Sequence, residues 1–177
     1  ILDGSTDTSF STDTGSQAGT ELIINKTNTV TLNSNIKTTD LTIEKGTLDT
    51  NSNSLNITET ATIHGTLYSS TGSNQYFGEL ILQDSGNYSA TSATTYLSGD
   101  LTNNGIIEHN NGIVYFNWSD STNYDIKGTQ ETTFYKLNTG GTNTYNLNLL
   151  QDITIENELI GGTRALTVNP NGKIGGA

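Results

Sequence analysis

The sequence has no cysteine and no methionine, and one proline, one tryptophan and one arginine among its 177 residues. The absence of cysteine excludes disulfides, thiolate metal sites and a cysteine nucleophile. No segment has the apolar length of a transmembrane helix. The sequence begins at Ile1 without an initiator methionine or a signal peptide, so we expect a mature, processed or excised piece of a longer protein.

Positive charge is also scarce. Lysine and arginine number 7 against 18 acidic residues, which gives a net charge of −11 and a pI near 4.2. Nucleic acids and anionic membranes attract basic surfaces, so neither is an expected partner, and we expect no membrane insertion. An acidic surface rich in threonine is typical of extracellular proteins, and we therefore predict a secreted, cell-surface location.

Threonine (32 residues), asparagine (22) and glycine (19) dominate what is present. Threonine favours strands, whereas asparagine and glycine favour turns. Short runs such as "TVTLN" and "ITIE" alternate apolar and polar residues, and about eight to twelve residues separate one run from the next. This pattern predicts an all-β protein. The phrase "NNG", at Asn103 and again at Asn110, predicts corner residues with positive φ.

One phrase occurs twice: "DLTIEKGTL" begins at Asp40 and "DITIENEL" at Asp152. After it, Leu48 precedes Leu55 by seven residues, as Leu159 precedes Leu166. The repeat unit is about 55 residues, present about three times (20–75, 76–132 and 133–177). A stack of repeated coils shows such internal similarity, so we predict a single β-solenoid domain over residues 20–177, with a β-sandwich as the alternative.

Two further stretches carry a family resemblance. "SGDLTNNGIIEHNNGIVYFN" begins at Ser98, and "GTQETTFYKL" begins at Gly128. Together they resemble the β-helix repeats of large secreted bacterial and archaeal surface proteins of the adhesin-like type. The matching pieces are Gly99–Gly105, Gly128–Gln130 and Phe134–Leu137. The resemblance implies a right-handed β-helix (β-solenoid) and a role as a structural stalk, in adhesion or in a surface fibre.

The two ends of the chain differ from the middle. Residues 1–19 lie outside the repeat and read as a polar arm or linker, or as an arm that adds a strand to a neighbouring chain. The last unit stops early and without a polar cap, so its open edge could pair with another copy. We therefore expect a homopolymer. The candidate subunit contacts are the apolar residues Ile1, Leu2, Phe10 and Ile174.

Two kinds of carbohydrate site are candidates. The aromatic cluster "VYFNW" offers Tyr115 and Trp118 for stacking on sugars. Four sequons make Asn25, Asn56, Asn87 and Asn117 glycosylation candidates. With 22 asparagines and Ser or Thr at 48 of the 177 positions, chance alone predicts about six sequons, so four is no enrichment.

Catalytic and metal constellations are weak. His64 and His109 lack a spaced partner, and Arg164 is the lone arginine. We expect no enzyme, no metal site and no cofactor. The best alternative is calcium, for which Asp3 with Asp7, and Asp49 with Asn51 and Asn53, offer oxygen ligands without the full loop pattern.

These observations predict an extracellular structural surface protein, a filament-forming subunit or an adhesin stalk segment that assembles through strand edges and the N-terminal arm. The first alternative is a carbohydrate-binding or adhesive module, which could recognise surface glycans. The second is a glycan-active β-helix enzyme, which would require a cleft lined with carboxylates and turnover of a glycan.

Overall fold

The computed structural model describes residues 1–11, 21–69, 72–117, 123–140, 146–161, 166–168 and 173–176. Within these ranges the chain forms nineteen β-strands and no helix. In chain order they are β1 (Leu2–Gly4), β2 (Thr8–Phe10), β3 (Glu21–Leu32), β4 (Ile36–Thr38), β5 (Asp40–Asp49), β6 (Leu55–Ile63), β7 (Thr66–Tyr68), β8 (Gln75–Leu82), β9 (Asn87–Ser89), β10 (Thr94–Leu97), β11 (Leu101–Asn103), β12 (Ile106–Glu108), β13 (Ile113–Phe116), β14 (Tyr124–Gly128), β15 (Thr132–Asn138), β16 (Leu147–Leu149), β17 (Ile153–Ile160), β18 (Leu166–Val168) and β19 (Ile174–Gly176).

Alternation of residue type decides which side of each strand faces inward. In β8, Phe77, Leu80 and Leu82 are buried, while Tyr76 lies on the outer side. The alternation breaks at the middle of the strand, where two consecutive residues are half-buried and the pairing register with β6 shifts. A long strand therefore bends around a corner and covers two sides of the coil.

The strands form three parallel stacks that run along the molecule. Stack A contains β1, the first halves of β3 and β5, the second halves of β6 and β8, and then β11, β14, β16 and β18. Stack B contains β2, the second halves of β3 and β5, then β7, β9 and β12, and further along the first halves of β15 and β17 and then β19. Stack C contains β4, the first halves of β6 and β8, then β10, β13 and the second halves of β15 and β17.

One passage through stacks A, B and C makes a turn of the coil, and the chain completes about seven such turns. The pairings between the stacked strands are parallel, as a coil that always winds in one direction requires. The predictions of an all-β chain and of a β-solenoid are confirmed, and the β-sandwich alternative is not the observed fold.

The turn is shorter than the sequence repeat, and its length is not constant. Leu22 pairs with Leu41 on the next turn, whereas Leu101 pairs with Ile126, a longer step along the chain. The repeat unit inferred from the sequence thus spans between two and three turns. The duplicated phrase also changes stack, because Leu41 lies in stack A and Ile153 lies in stack B.

Apolar side chains from all three stacks fill the interior. Ile24, Leu41 and Phe116 are fully buried, and the cluster extends from Leu22 to Ile155. Tyr88 is also fully buried, and its hydroxyl shares a hydrogen bond of 2.8 Å with Oγ1 of Thr95. Burial raises the pKa of Tyr88 to about 12, so this phenol is neutral at physiological pH.

Asparagine and aspartate side chains tie each turn to the next. The Thr60 amide donates to Oδ1 of Asp40 at 3.1 Å, and the Thr94 amide donates to Oδ1 of Asn74 at 3.2 Å. The same link recurs elsewhere, for example from the Asn146 amide to Asn123 at 2.9 Å. A short carbonyl-bearing side chain at a corner thus satisfies a backbone donor one turn away, a role for which asparagine and aspartate are well suited.

A groove along one corner of the solenoid

The corner where stack C passes into stack A carries small side chains on successive turns. Thr58, Gly78, Ser98 and Asn117 each come directly after one of four residues that pair in register, so these four positions lie one above another. The paired residues are Ile57, Phe77, Leu97 and Phe116. Gly78 has no room for a side chain, since a Cβ there would lie 2.1 Å from the carbonyl oxygen of Glu59. These small residues form the floor of a groove along this corner, here called the corner groove.

A ladder of tyrosines stands on the stack C side of the corner groove. Tyr76, Tyr96 and Tyr115 are aligned by the pairing of β8, β10 and β13, and all three are half-buried. The rings of Tyr76 and Tyr96 stack with centroids 4.8 Å apart and planes within 5°, and those of Tyr96 and Tyr115 are 5.6 Å apart with a tilt of 55°. Because the Tyr96 ring lies between its two neighbours, its edge is the part that can meet a ligand.

Two adjoining cavities make up the corner groove. The smaller one, about 240 Å³, lies beside Tyr76, Tyr96 and Asn56. The larger one, about 410 Å³, lies on the stack A side, where Glu59, Glu79 and Tyr124 line it. Thr58 and Ser98 line both cavities, so the two form one depression with a tyrosine wall and a carboxylate wall.

The carboxylate wall is electrostatically negative. Burial and the nearby Asp100 carboxylate raise the pKa of Glu79, and Lys127 opposes this effect only in part. Lys127 is itself ion-paired with Asp100, whose hydrogen bond raises the pKa of the lysine. Burial is the main cause of the raised pKa of Glu79, and the Asp100 carboxylate adds to it, so a further negative charge placed beside these two carboxylates would be unfavourable.

This arrangement suits a ligand with many hydroxyl groups. Carboxylate oxygens accept hydrogen bonds, hydroxyls of Ser98 and Thr58 both donate and accept, and the Asn56 amide does the same. Aromatic side chains add apolar contact next to those polar groups. An anionic ligand would meet Glu59 and Glu79, so the corner groove favours a neutral or cationic one.

The structure brings one of the two predicted sugar-stacking residues to this corner. Tyr115 is the third member of the ladder, while its neighbour Phe116 points into the core, as strand alternation predicts. Trp118 lies outside the described residues. The sequence analysis missed Tyr76 and Tyr96. A signal existed, because positions 76, 96 and 115 are separated by about one turn, but it is readable only once the turn length is known.

The four sequon asparagines differ in their surroundings. Asn25 in β3, Asn56 in β6 and Asn87 in β9 are half-buried strand residues, whereas Asn117 is exposed. Asn56 and Asn117 both line the corner groove. Oδ1 of Asn87 is buried and has no hydrogen-bond partner within the described part of the chain.

The predicted subunit contacts lie in the outermost turns. Leu2 of β1 and Phe10 of β2 are partly buried against the core, since both strands pair with β3. Ile1 is 82% exposed and Ile174 of β19 is 42% exposed. Two of the four residues are thus packed within this chain, and two present apolar surface to solvent.

Other candidate chemistry stays dispersed over the surface. Nε2 of His109 lies 3.1 Å from Oε2 of Glu156, and the ring stacks on Tyr135, far along the chain from His64. In the loop proposed for calcium, the Asp49 carboxylate accepts from the Asn51 amide, and the Asn53 side-chain amide donates to the Leu32 carbonyl at 2.9 Å. Among the described residues, no group of three acidic, histidine or cysteine side chains could hold a metal ion.

The described residues contain no helix of the length and apolarity needed to cross a membrane. Comparison with known proteins adds no relative to this picture. No protein-family model, curated protein sequence or solved structure matches the chain.

Proposed function

We propose that this chain is an extracellular carbohydrate-binding module, an adhesive segment of a cell-surface protein of the adhesin type. The tyrosine ladder beside the corner groove carries the proposal. Two of its half-buried rings, Tyr76 and Tyr96, line the groove beside hydroxyl groups and across from carboxylates. This combination of apolar ring edges and polar groups matches the surface of a sugar, which has apolar ring faces and a rim of hydroxyl groups.

The charge of the molecule narrows the range of ligand classes that the groove can bind. Glu59 and Glu79 line the groove, and the whole chain carries a net charge of −11. Ligands rich in carboxylate, sulfate or phosphate are therefore disfavoured. Neutral glycans at a cell or matrix surface remain the best match.

Removing the central ring of the ladder should weaken glycan binding. We expect Tyr96→Ala to lower the affinity for a retained neutral polysaccharide tenfold or more, about 1.4 kcal/mol, because Tyr96 contacts both neighbouring rings and the groove. Binding is measured by retention on glucan, mannan, xylan and chitin, followed by calorimetry with soluble forms.

Tyr135→Ala is the matched control. Tyr135 is also half-buried, but it stacks on His109 at a different corner, so its loss should leave the affinity unchanged. Equal affinity of Tyr96→Ala and the wild type would contradict a glycan-binding site in the corner groove. Failure of every polysaccharide to retain the wild-type chain would contradict it as well. Oligosaccharides recovered from the same samples should be intact, because cleavage would contradict a non-enzymatic role.

The second candidate is the purely structural role, a stalk segment or filament subunit. It is favoured by the hydrogen bonds that link each turn to the next. The Thr60 amide donates to Asp40 at 3.1 Å, and the Asp125 amide donates to Asp100 at 2.9 Å. For a filament, electron microscopy of the purified chain should show fibres that shorten with Ile1→Lys and Ile174→Lys. Separate particles at every concentration would contradict self-assembly.

A further inference from the structure

Resting on the proposed function, we propose that the corner groove binds an unbranched, uncharged saccharide chain that lies parallel to the solenoid axis. This inference adds the orientation, length and substitution of the ligand to the carbohydrate site. It follows from how the lining residues are distributed over the turns.

The corner groove crosses turns rather than following one strand. Its floor positions, Thr58, Gly78, Ser98 and Asn117, belong to four successive turns and are almost evenly spaced along the chain. Adjacent parallel strands lie about 4.8 Å apart, so three steps give a length of roughly 14 Å. In an extended linear saccharide, the length of one sugar unit is close to this spacing between adjacent strands. Each turn can therefore contact one sugar unit.

The walls explain why the chain should lack branches and charge. The ladder presents a continuous wall, because the Tyr76 and Tyr96 rings are in contact at 4.8 Å and leave no gap for a substituent. On the other side stand Glu59 and Glu79, and the neighbouring cation, Lys127, is engaged by Asp100. A uronic acid or sulfated sugar would place its charge against these carboxylates.

Calorimetry with linear oligosaccharides of one to six units tests the orientation. Glucose-, mannose- and xylose-based series serve as neutral probes, and oligogalacturonides serve as the charged counterpart. We expect affinity to rise at least tenfold between one and three or four units and then to level off, with no binding of the charged series. A binding series without length dependence, or equal binding of oligogalacturonides, would overturn this inference and leave the carbohydrate site standing. If no oligosaccharide series binds, both this inference and the proposed carbohydrate site are contradicted.

A side chain placed in the middle of the floor provides a sharper test. Ser98 is exposed and central, so Ser98→Tyr should divide the groove and abolish the gain in affinity beyond two units. Ser92→Tyr, on an exposed residue between β9 and β10, is the matched control and should behave like the wild type. If Ser98→Tyr fails to fold by circular dichroism, Thr58→Tyr at the end of the groove should instead shorten the plateau by about one unit. Unchanged length dependence in the folded variant would exclude an axial ligand.

Discussion

Replacing Gly46 with alanine is expected to destabilise the solenoid by about 3 kcal/mol or more, a large share of the stability of an ordinary domain. Gly46 has φ of +76°, a conformation that costs a residue with a side chain about 1–2 kcal/mol. An added Cβ would also lie 2.0 Å from the carbonyl oxygen of Lys26 on the preceding turn. Two turns would have to separate to make room, and overpacking of this kind costs about 1–3 kcal/mol more.

Urea unfolding followed by circular dichroism measures this effect, and two other glycines separate its causes. Gly4→Ala tests the conformation alone, since φ is +112° and the nearest atom, Nζ of Lys26, is 3.8 Å away. Gly161→Ala tests neither, because nothing lies within 4 Å of its Cβ. We expect the loss of stability to rank Gly46, then Gly4, then Gly161. A wild-type midpoint for Gly46→Ala would show that the turns are not packed as described.

The second large effect concerns Phe116. Its side chain is fully buried, and truncation of such a phenylalanine to alanine typically costs about 3–5 kcal/mol. The residue before it, Tyr115, belongs to the same strand but faces outward and is half-buried. Two aromatic residues in succession therefore have opposite roles, one in the core and one in the ladder.

The same unfolding experiment, with Tyr115→Ala as the control, measures the difference. Phe116→Ala should lower the urea midpoint strongly, whereas Tyr115→Ala should change stability by about 1 kcal/mol, the scale of a single aromatic pair contact. Comparable losses for the two variants would mean that β13 does not face the core in the stated register. A loss confined to Tyr115→Ala would reverse the assignment of the two faces.

Local alternation was enough to predict the strands and the class of fold. "LTIE" and "ITIE" become strands whose Leu41, Ile43, Ile153 and Ile155 side chains are buried, as period two requires. Short strands separated by turn residues, together with internal similarity, led to a stack of coils. These inferences depend on neighbours in sequence, which a single chain displays directly.

The stack in which each strand lies could not be predicted from local alternation. The repeated phrase at Asp40 and Asp152 falls in different stacks, because the stretch between its two copies is not a whole number of turns. Turn length also varies along the chain, so the alignment of Tyr76 with Tyr96 and Tyr115 depends on pairings far apart in sequence. The ladder and the groove beside it were hidden for that reason.

The two "NNG" phrases also show that a local motif does not determine the conformation of a corner. Asn110 and Asn111 have φ of 44° and 61°, as predicted for a corner. The other copy also marks a corner, with a bend at Asn104 and Gly105, but the expected positive φ is absent from Asn103 and Asn104. Asn103 is instead fully buried, and its side-chain amide donates to Oγ1 of Thr132 at 2.9 Å. An inward asparagine is stabilised there by a partner on another turn, which no local rule reveals.

Strand alternation also has a consequence for how such a surface can change. The residues that line the corner groove are mostly outward-facing, and most are next to a core residue: Tyr96 lies between the buried residues Thr95 and Leu97, and Ser98 follows Leu97. Substitutions on the outside can therefore accumulate without repacking the interior. Selection could retune what this corner recognises while the coil beneath it is inherited unchanged, so scaffold and specificity can evolve as separate traits.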